Sequence, residues 1–536
     1  MYHATCTYGM TYKSKALIRG HWYLYERESY WDRERKKTRQ RTVRCLGRCD
    51  EHGNLTEPVR PRVDAVYTAF PVGPMAAFYA ASQELNVRRH IQDVLSLDEH
   101  HASMLLLIAL NQASHRLPLN RVPEWARASP FPVWEGVDPA SITRQSLDES
   151  LGALCSLSPS HVWQQHGYDL QDALTRQWRG SSREPAAYYY DITKQHYYGS
   201  ACPYAEMGHD ADRGLSRVIG FGMVISREHK HPVHCRPLNG SVNDTVTVSE
   251  TVDLMHSFGL KGITLVMDRG MVSASNLSKV LDAGYKQVGL VRGWNRTTMQ
   301  YASRWSGDAL ERPEYAVARS NGYAAYARAF DGSLFGRRMR IAVVEDPRRK
   351  AEERQARDLL LLELQGNPVR GRLREIRNEL GPVVIPSRGR RGFRVDAKAV
   401  ERERSLDGRF LLFGTDTGMH AREMYELYFQ RDAVEKVFRT AKGELCAGPI
   451  RYRRKDRVDA YATVLYIAYL LWSWTERKVK EKYPGMTMDE TIRSIENVMV
   501  VKFGTDKLVR EWSTRRTQEQ EELLSAIGAT RFLPAT

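Results

Sequence analysis

Between Ala187 and Val291 the chain sets out runs that leave little choice of fold. Ala187-Tyr-Tyr-Tyr-Asp-Ile-Thr, Arg217-Val-Ile-Gly-Phe-Gly-Met-Val-Ile-Ser and Pro232-Val-His-Cys-Arg-Pro-Leu read as three strands, the last two joined by a charged turn. Asn239-Gly-Ser-Val-Asn-Asp makes a loop, and Asp244 can cap a helix running to about Phe258. Gly262-Ile-Thr-Leu-Val-Met-Asp is a continuous apolar strand ending in Asp268. Such a run is buried on both faces, as in a mixed or parallel sheet. A helix over 273–283 and a strand Tyr285-Lys-Gln-Val-Gly-Leu-Val follow. The order is β-β-β-α-β-α-β. Three leading antiparallel strands followed by α/β units are the layout of a ribonuclease-H-like core, so the expected fold class is α/β.

That layout gives two acidic residues a purpose. An acid inside an apolar strand is costly without a partner. In this order Asp191 on the first strand and Asp268 at the end of the fourth lie side by side. Taken singly, Asp191 is a cross-strand carboxylate and Asp268 a strand-end cap. A third carboxylate comes from Tyr428-Phe-Gln-Arg-Asp-Ala-Val-Glu-Lys-Val-Phe-Arg-Thr-Ala-Lys442, which has no Gly or Pro and reads as helix. On a wheel of about 100° per residue, Tyr428, Arg431, Glu435 and Lys442 fall within an arc of roughly 60°. Leu427, Val434, Val437 and Ala441 form a neighbouring apolar stripe that can dock on a core. By itself the charged stripe reads as a solvated face, since Arg431 and Glu435 are spaced to pair within the helix. With the helix packed behind the sheet, Glu435 meets the two aspartates. Three converging carboxylates suit Mg²⁺, a hard cation that takes oxygen ligands. Two such ions can activate a nucleophile and stabilise the leaving oxygen of a phosphodiester.

The rest of the chain is expected to divide as follows. Residues 1–70 form a basic β-hairpin region, where the link Asp32-Arg-Glu-Arg-Lys-Lys-Thr-Arg-Gln-Arg could lie along a phosphate backbone or be a solvated turn. Residues 71–180 are helical and punctuated by prolines, a candidate DNA-binding domain without a recognisable helix-turn-helix spacing. Residues 181–292 are the first part of the core, 293–405 an insertion of strands and charged helices, and 406–480 the second part with the glutamate helix. Within that last part, 456–482 reads as one long helix with an aromatic-rich apolar face. Residues 481–536 are a C-terminal helical segment, with helix expected from Met488 to about Ile527.

Composition narrows the partner. The 536 residues carry 80 Lys and Arg against 64 Asp and Glu, a net charge of +16. A balance this basic points to a polyanion, and nucleic acid is the usual one. The longest apolar run, Ala462 to Trp472, is too short to span a bilayer, so no membrane partner is expected. The N-terminus lacks the shape of a signal peptide. The 7 cysteines are scattered and odd in number, which points to reduced thiols and a cytoplasmic, DNA-associated protein. Cys45 with Cys49, and His229, His231, His234 with Cys235, are the places to consider zinc. The first lacks a second close pair, and alternation along a strand splits the second between two faces. Asp210 and Asp212 read as solvated loop residues.

Tyr428, two residues, Arg431, three residues, Glu435, six residues, Lys442 resembles the Tyr-Arg-Glu-Lys signature of the IS-four superfamily of DDE transposases from insertion sequences. Tyr190-Asp-Ile-Thr, Leu238-Asn-Gly-Ser-Val-Asn-Asp and Val266-Met-Asp-Arg-Gly-Met resemble its subgroup with long insertions before the glutamate. So do the N-terminal hairpins ending Cys45-Leu-Gly-Arg and the run Tyr452-Arg-Arg-Lys-Asp-Arg-Val-Asp-Ala. The resemblance implies that Asp191, Asp268 and Glu435 are the catalytic, metal-binding triad, holding two Mg²⁺ ions for which Mn²⁺ can substitute. It implies that Arg431 and Lys442 contact phosphates of the transposon end and that Tyr428 helps hold the same DNA. The implied reaction is hydrolysis at the ends of the element, followed by attack of the freed 3′-hydroxyl on target DNA. Family members act as homodimers assembled on double-stranded DNA. One departure is visible: after Arg457 a histidine is expected near the start of the next helix, and this chain has Asp459-Ala460-Tyr461. A DNA-binding relative that no longer transposes and a structure-directed nuclease on the same core are the alternative readings.

Overall fold

The computed structural model describes residues 11–32, 36–58, 65–155, 166–180, 186–199, 201–210, 214–242, 244–318, 322, 324–366, 369–387, 393–430, 450, 452–505 and 508–534. The chain divides into two compact units, 1–69 with 500–512 and 70–499 with 513–536.

The first unit contains an antiparallel sheet in the order β1 (Thr11–Ile18), β2 (His21–Asp32), β3 (Lys37–Cys49) and β4 (Leu55–Pro58). The β1–β2 turn is Arg19-Gly20, with φ of 50° and 80°. Two left-handed residues in succession match the twist of a tight hairpin, and glycine accepts the second without strain. A second sheet joins β5 (Ala65–Pro71) with two strands from near the end of the chain, β18 (Met499–Thr505) and β19 (Leu508–Ser513). These two strands correct the expectation of continuous helix from Met488 to Ile527; helix is present only at Met488–Ile495 and Gln518–Ile527. Met499-Val-Val-Lys-Phe is rich in β-branched and aromatic residues. Its partner β5 is remote in sequence, so local reading gave the pairing no signal.

The second unit is built on a mixed sheet of ten strands. Its centre runs β9 (Pro232–Asn239), β8 (Gly214–Ser226), β6 (Ala187–His196), β10 (Thr264–Met267), β11 (Lys286–Leu290). β8 runs antiparallel to both β9 and β6, while β10 lies parallel to both β6 and β11. A short strand missed in the sequence, β7 (Glu206–Asp210), pairs with the start of β8 and takes Asp210 out of the expected loop.

The sheet does not stop at β11. β17 (Arg409–Gly414) pairs antiparallel with it and carries β14 (Arg337–Glu345), β13 (Ala324–Leu334) and β12 (Ala316–Ala318) in turn. Three strands of residues 293–405 therefore extend the core sheet, while Val384–Pro386 and Phe393–Val395 pair as a small separate ribbon. An uncovered β11 would leave an edge of unpaired backbone groups, and β17 removes it. Val272 and Leu277 share one buried cluster with Ala302, Leu310, Met339, Ile341 and Phe413. The helices Pro347–Gln365, Arg370–Leu380 and Ala397–Leu406 hold a smaller core of Leu364, Ile376, Leu380, Val383, Val384 and Ala399.

Helix Lys455–Lys482 is the spine of this unit, and every residue from Val458 to Thr475 is buried. An all-round apolar helix belongs inside a protein, so the expected single apolar face is a correction. The helices of residues 73–180 supply much of the cover. Phe78 stacks on Trp472 at 5.6 Å, Gln171 donates to the Thr463 hydroxyl at 3.0 Å, and the hydroxyls of Thr175 and Tyr466 meet at 2.8 Å. Burying each large apolar side chain stabilises the fold by about 1.5–3 kcal/mol. No helix among the described residues is long and apolar enough to cross a membrane.

Candidate active site

Met267 pairs with Tyr190 in the parallel β10–β6 ladder. The next step along both strands brings Asp268 beside Asp191. Adjacent strands lie about 4.8 Å apart, and register neighbours point to the same face. The two carboxylates thus share one spot on the sheet, at the carboxyl end of β10, and both are half-buried. Asp191 Oδ1 accepts the Ile192 N–H at 2.9 Å, which fixes the carboxylate against its own strand. Asp268 precedes the turn Arg269–Met271 but makes no side-chain capping bond to it. Its carboxylate is therefore not explained as a strand-end cap.

The face carrying the pair can be followed across the sheet. Two positions back from the aspartates, Tyr189, Val266, Val288 and Gly414 stand in register on β6, β10, β11 and β17. Helix Ala421–Phe429 packs on this face: a Cβ at Gly414 would lie 3.5 Å from Met424 Cε, and the rings of Phe429 and Phe410 are 5.7 Å apart. On the other side of the aspartates, Phe221, level with Thr193, meets Tyr461 of the spine helix at 6.4 Å. Two helices therefore flank the carboxylates on their own face, and one of them leads directly to Glu435. Arg431, Glu435 and Lys442 lie outside the described residues. Tyr428 is described: it is 6 % exposed, in the last turn of helix Ala421–Phe429, with its ring 5.4 Å from that of Phe429. Among the described residues no group of three or more His, Cys, Asp or Glu is placed to hold a metal.

Sequence reasoning missed Tyr204. Its hydroxyl donates to Asp459 Oδ1 at 2.6 Å, from a loop to the first turns of the spine helix. Asp459, where a histidine was expected, is 6 % exposed. Burial, and then the Asp459 charge, push the Tyr204 phenol well above its ordinary range, so it stays protonated as a donor. Lys455 sits 5.4 Å from the Tyr204 ring centre. A cavity of about 720 Å³ here is lined by Tyr204, Asp459, Arg453, Arg454 and Lys455. Nothing in Cys202-Pro-Tyr marks this tyrosine in advance; only the fold pairs it with Asp459.

The His229–Cys235 stretch packs as core. His231 shares Ser473 Oγ at 3.0 Å through Nδ1, and its ring lies 5.3 Å from both Trp178 and Trp474. His234 is on the opposite face, against Tyr168 at 5.1 Å and Phe258 at 5.8 Å. Burial holds His234 down to about 3, and His231 well below the ordinary histidine range. Both are neutral packing residues.

The family described as "Transposase DDE domain" matches residues 203–471. No curated protein matches the sequence. Among solved structures, a piggyBac transposase synaptic complex with hairpin DNA is similar at 11% identity, covering 79% of this chain and 79% of that one, with a TM-score of 0.39. At that score the likeness is too distant to bear on the fold. With half of its length matched, the chain belongs to the transposase DDE domain family, as an enzyme of DNA strand cleavage and transfer.

Proposed function

We propose that this transposase binds the terminal repeats of an insertion sequence of the IS-four superfamily and cuts and transfers its ends with Asp191, Asp268 and Glu435. The observation that carries the reading is the parallel register of β6 and β10, whose last pair, Tyr190 with Met267, stands one residue before Asp191 and Asp268. The strand order β9-β8-β6-β10-β11, with its antiparallel start and parallel finish, supports a ribonuclease-H-like core. The spacing of Tyr428, Arg431, Glu435 and Lys442 supports the superfamily.

Half-buried, hard oxygen donors on one face fit divalent magnesium, or manganese in its place. Two such ions held by the triad would lower the barrier to attack on a phosphodiester and to departure of its oxygen. The chain's own contribution is to orient and to grip. Asp191 is braced by the Ile192 N–H, and Asp268 directly follows the end of β10. Helix Ala421–Phe429 packs on the aspartates' face of the sheet, and Glu435 follows it in the sequence. Arg431 and Lys442 bind phosphates of the end, and Tyr428 supports that grip from inside its helix. The active form is a homodimer on double-stranded DNA, joining two ends before strand transfer to the target, in the cytoplasm.

Incubating the protein with a duplex carrying its element's inverted repeat and Mg²⁺ is expected to give nicked or excised ends. Cleavage of an unrelated duplex at the same rate would replace this reading with a general nuclease.

A further inference from the structure

In the first unit β1 pairs with β2 only as far as Glu28, and β4 meets β3 only at Gly47–Cys49. Beyond Glu28 the described residues form a bare two-stranded ribbon, in which Ser29 faces Gln40, Tyr30 faces Arg39 and Trp31 faces Thr38. The last register shift lies at Glu26/Arg27, so pairing along this ribbon is regular. Alternation then sorts its side chains into two unlike faces. One face carries Ser29, Trp31, Thr38 and Gln40, uncharged side chains continued by Arg27 and Thr42. The other carries Tyr30 and Arg39, continued by Glu28 and Arg41. Trp31 is 60% exposed, and Thr38 and Gln40 are exposed beside it.

An exposed tryptophan among uncharged hydrogen-bonding side chains is not what a solvated hairpin needs. The strand around it is strongly cationic: residues 36–48 include Lys36, Lys37, Arg39, Arg41, Arg44 and Arg48, and no Asp or Glu. Arg41 pairs with Glu28 at 2.6 Å and Arg44 with Glu26 at 2.7 Å across the ribbon, but exposed ion pairs of this kind are weak and exchange readily. Charge and shape together select a nucleic-acid duplex as the occupant. A two-stranded ribbon fits a major groove of about 12 Å. In it, glutamine bonds bidentately to adenine, serine and threonine reach base edges, and an apolar ring meets the thymine methyl.

We propose that this ribbon enters the major groove of the transposon end with the Ser29, Trp31, Thr38 and Gln40 face against the bases, and so selects the end sequence. The basic side chains of the opposite face reach the phosphates on either side. This rests on the end-binding reading above.

The test titrates the full chain with a duplex of the element's terminal repeat and with a shuffled duplex of the same length. Gln40→Ala is expected to reduce the preference for the repeat by about 5- to 150-fold while leaving shuffled-duplex binding unchanged. Arg39→Ala is expected to weaken both duplexes alike and to reduce the salt slope by about 1. Wild-type preference retained by a variant combining Gln40→Ala with Trp31→Ala would overturn the proposal. Cleavage of the repeat by the unaltered protein is followed in parallel. Normal cleavage alongside retained preference overturns the ribbon assignment alone, whereas no cleavage overturns the end-processing reading and this proposal with it.

Discussion

Asp191 and Asp268 stand out in the sequence because one lies within an apolar run and the other ends one, where an acid without a partner is costly. Their adjacency needed only the strand order. Tyr204 was not legible, because a tyrosine in a loop acquires a role only when a remote helix brings Asp459 to it. Replacing Tyr204 by Phe removes a bond to a buried carboxylate and is expected to destabilise the protein by about 1–3 kcal/mol in urea unfolding. An unchanged midpoint would mean that the contact contributes nothing. The buried histidines make a separate prediction. Burial lowers His115 to about 4 and His234 to about 3. Below the ordinary histidine pKa near 6.5 the unfolded chain takes up protons that the folded chain refuses. Their contribution is therefore complete above about pH 6.5 and is lost as pH falls towards 4 for His115 and 3 for His234. His234→Phe is expected to flatten the fall in stability below pH 6.5 by up to about 1.4 kcal/mol per pH unit. An identical slope would contradict the account.

At the scale of elements, β-β-β-α-β-α-β was readable because each strand carries its own pattern of burial. The extension beyond β11 was not, since it depends on β17 docking beside a strand distant in sequence. A buried ion pair fastens that extension. Glu345 and Arg409 face each other in the β14–β17 ladder, bond at 2.6 Å and are 0% and 6% exposed as side chains. Arg409 also donates to the Ala302 and Trp305 carbonyls, each at 2.8 Å. Burial opposes the Glu345 charge, but hydrogen bonds with Glu311, Lys350 and Arg409 outweigh it and hold the carboxyl below its ordinary range. Arg409→Met leaves Glu345 with Lys350 as its one remaining cation among the described residues and is expected to destabilise by up to roughly 3 kcal/mol. Arg338→Met, at an exposed pair with Asp331, is expected to cost less than about 1 kcal/mol. Equal losses in urea unfolding would remove the distinction. The C-terminal strands were misread for the same reason as the sheet extension: strands are fixed by partners, and β5 is far away in the chain.

For the whole molecule, a net charge of +16 makes DNA affinity a matter of released counterions as well as contacts. The logarithm of affinity for duplex DNA is expected to fall linearly with the logarithm of salt concentration, and a flat line would exclude a phosphate-dominated grip. Charge was legible from composition, but which surfaces bear it was not, and neither was the burial of the spine helix on all sides. The central claim is that Asp191, Asp268 and Glu435 act as one site. It is tested most directly by measuring Mg²⁺-dependent cleavage and binding of the terminal repeat by Asp191→Asn, Asp268→Asn and Glu435→Gln. Each variant is expected to bind the repeat with nearly wild-type affinity and to lose cleavage by a factor of at least about 10³, about 4 kcal/mol of barrier. Near-normal cleavage by any one of them would contradict the claim for that residue.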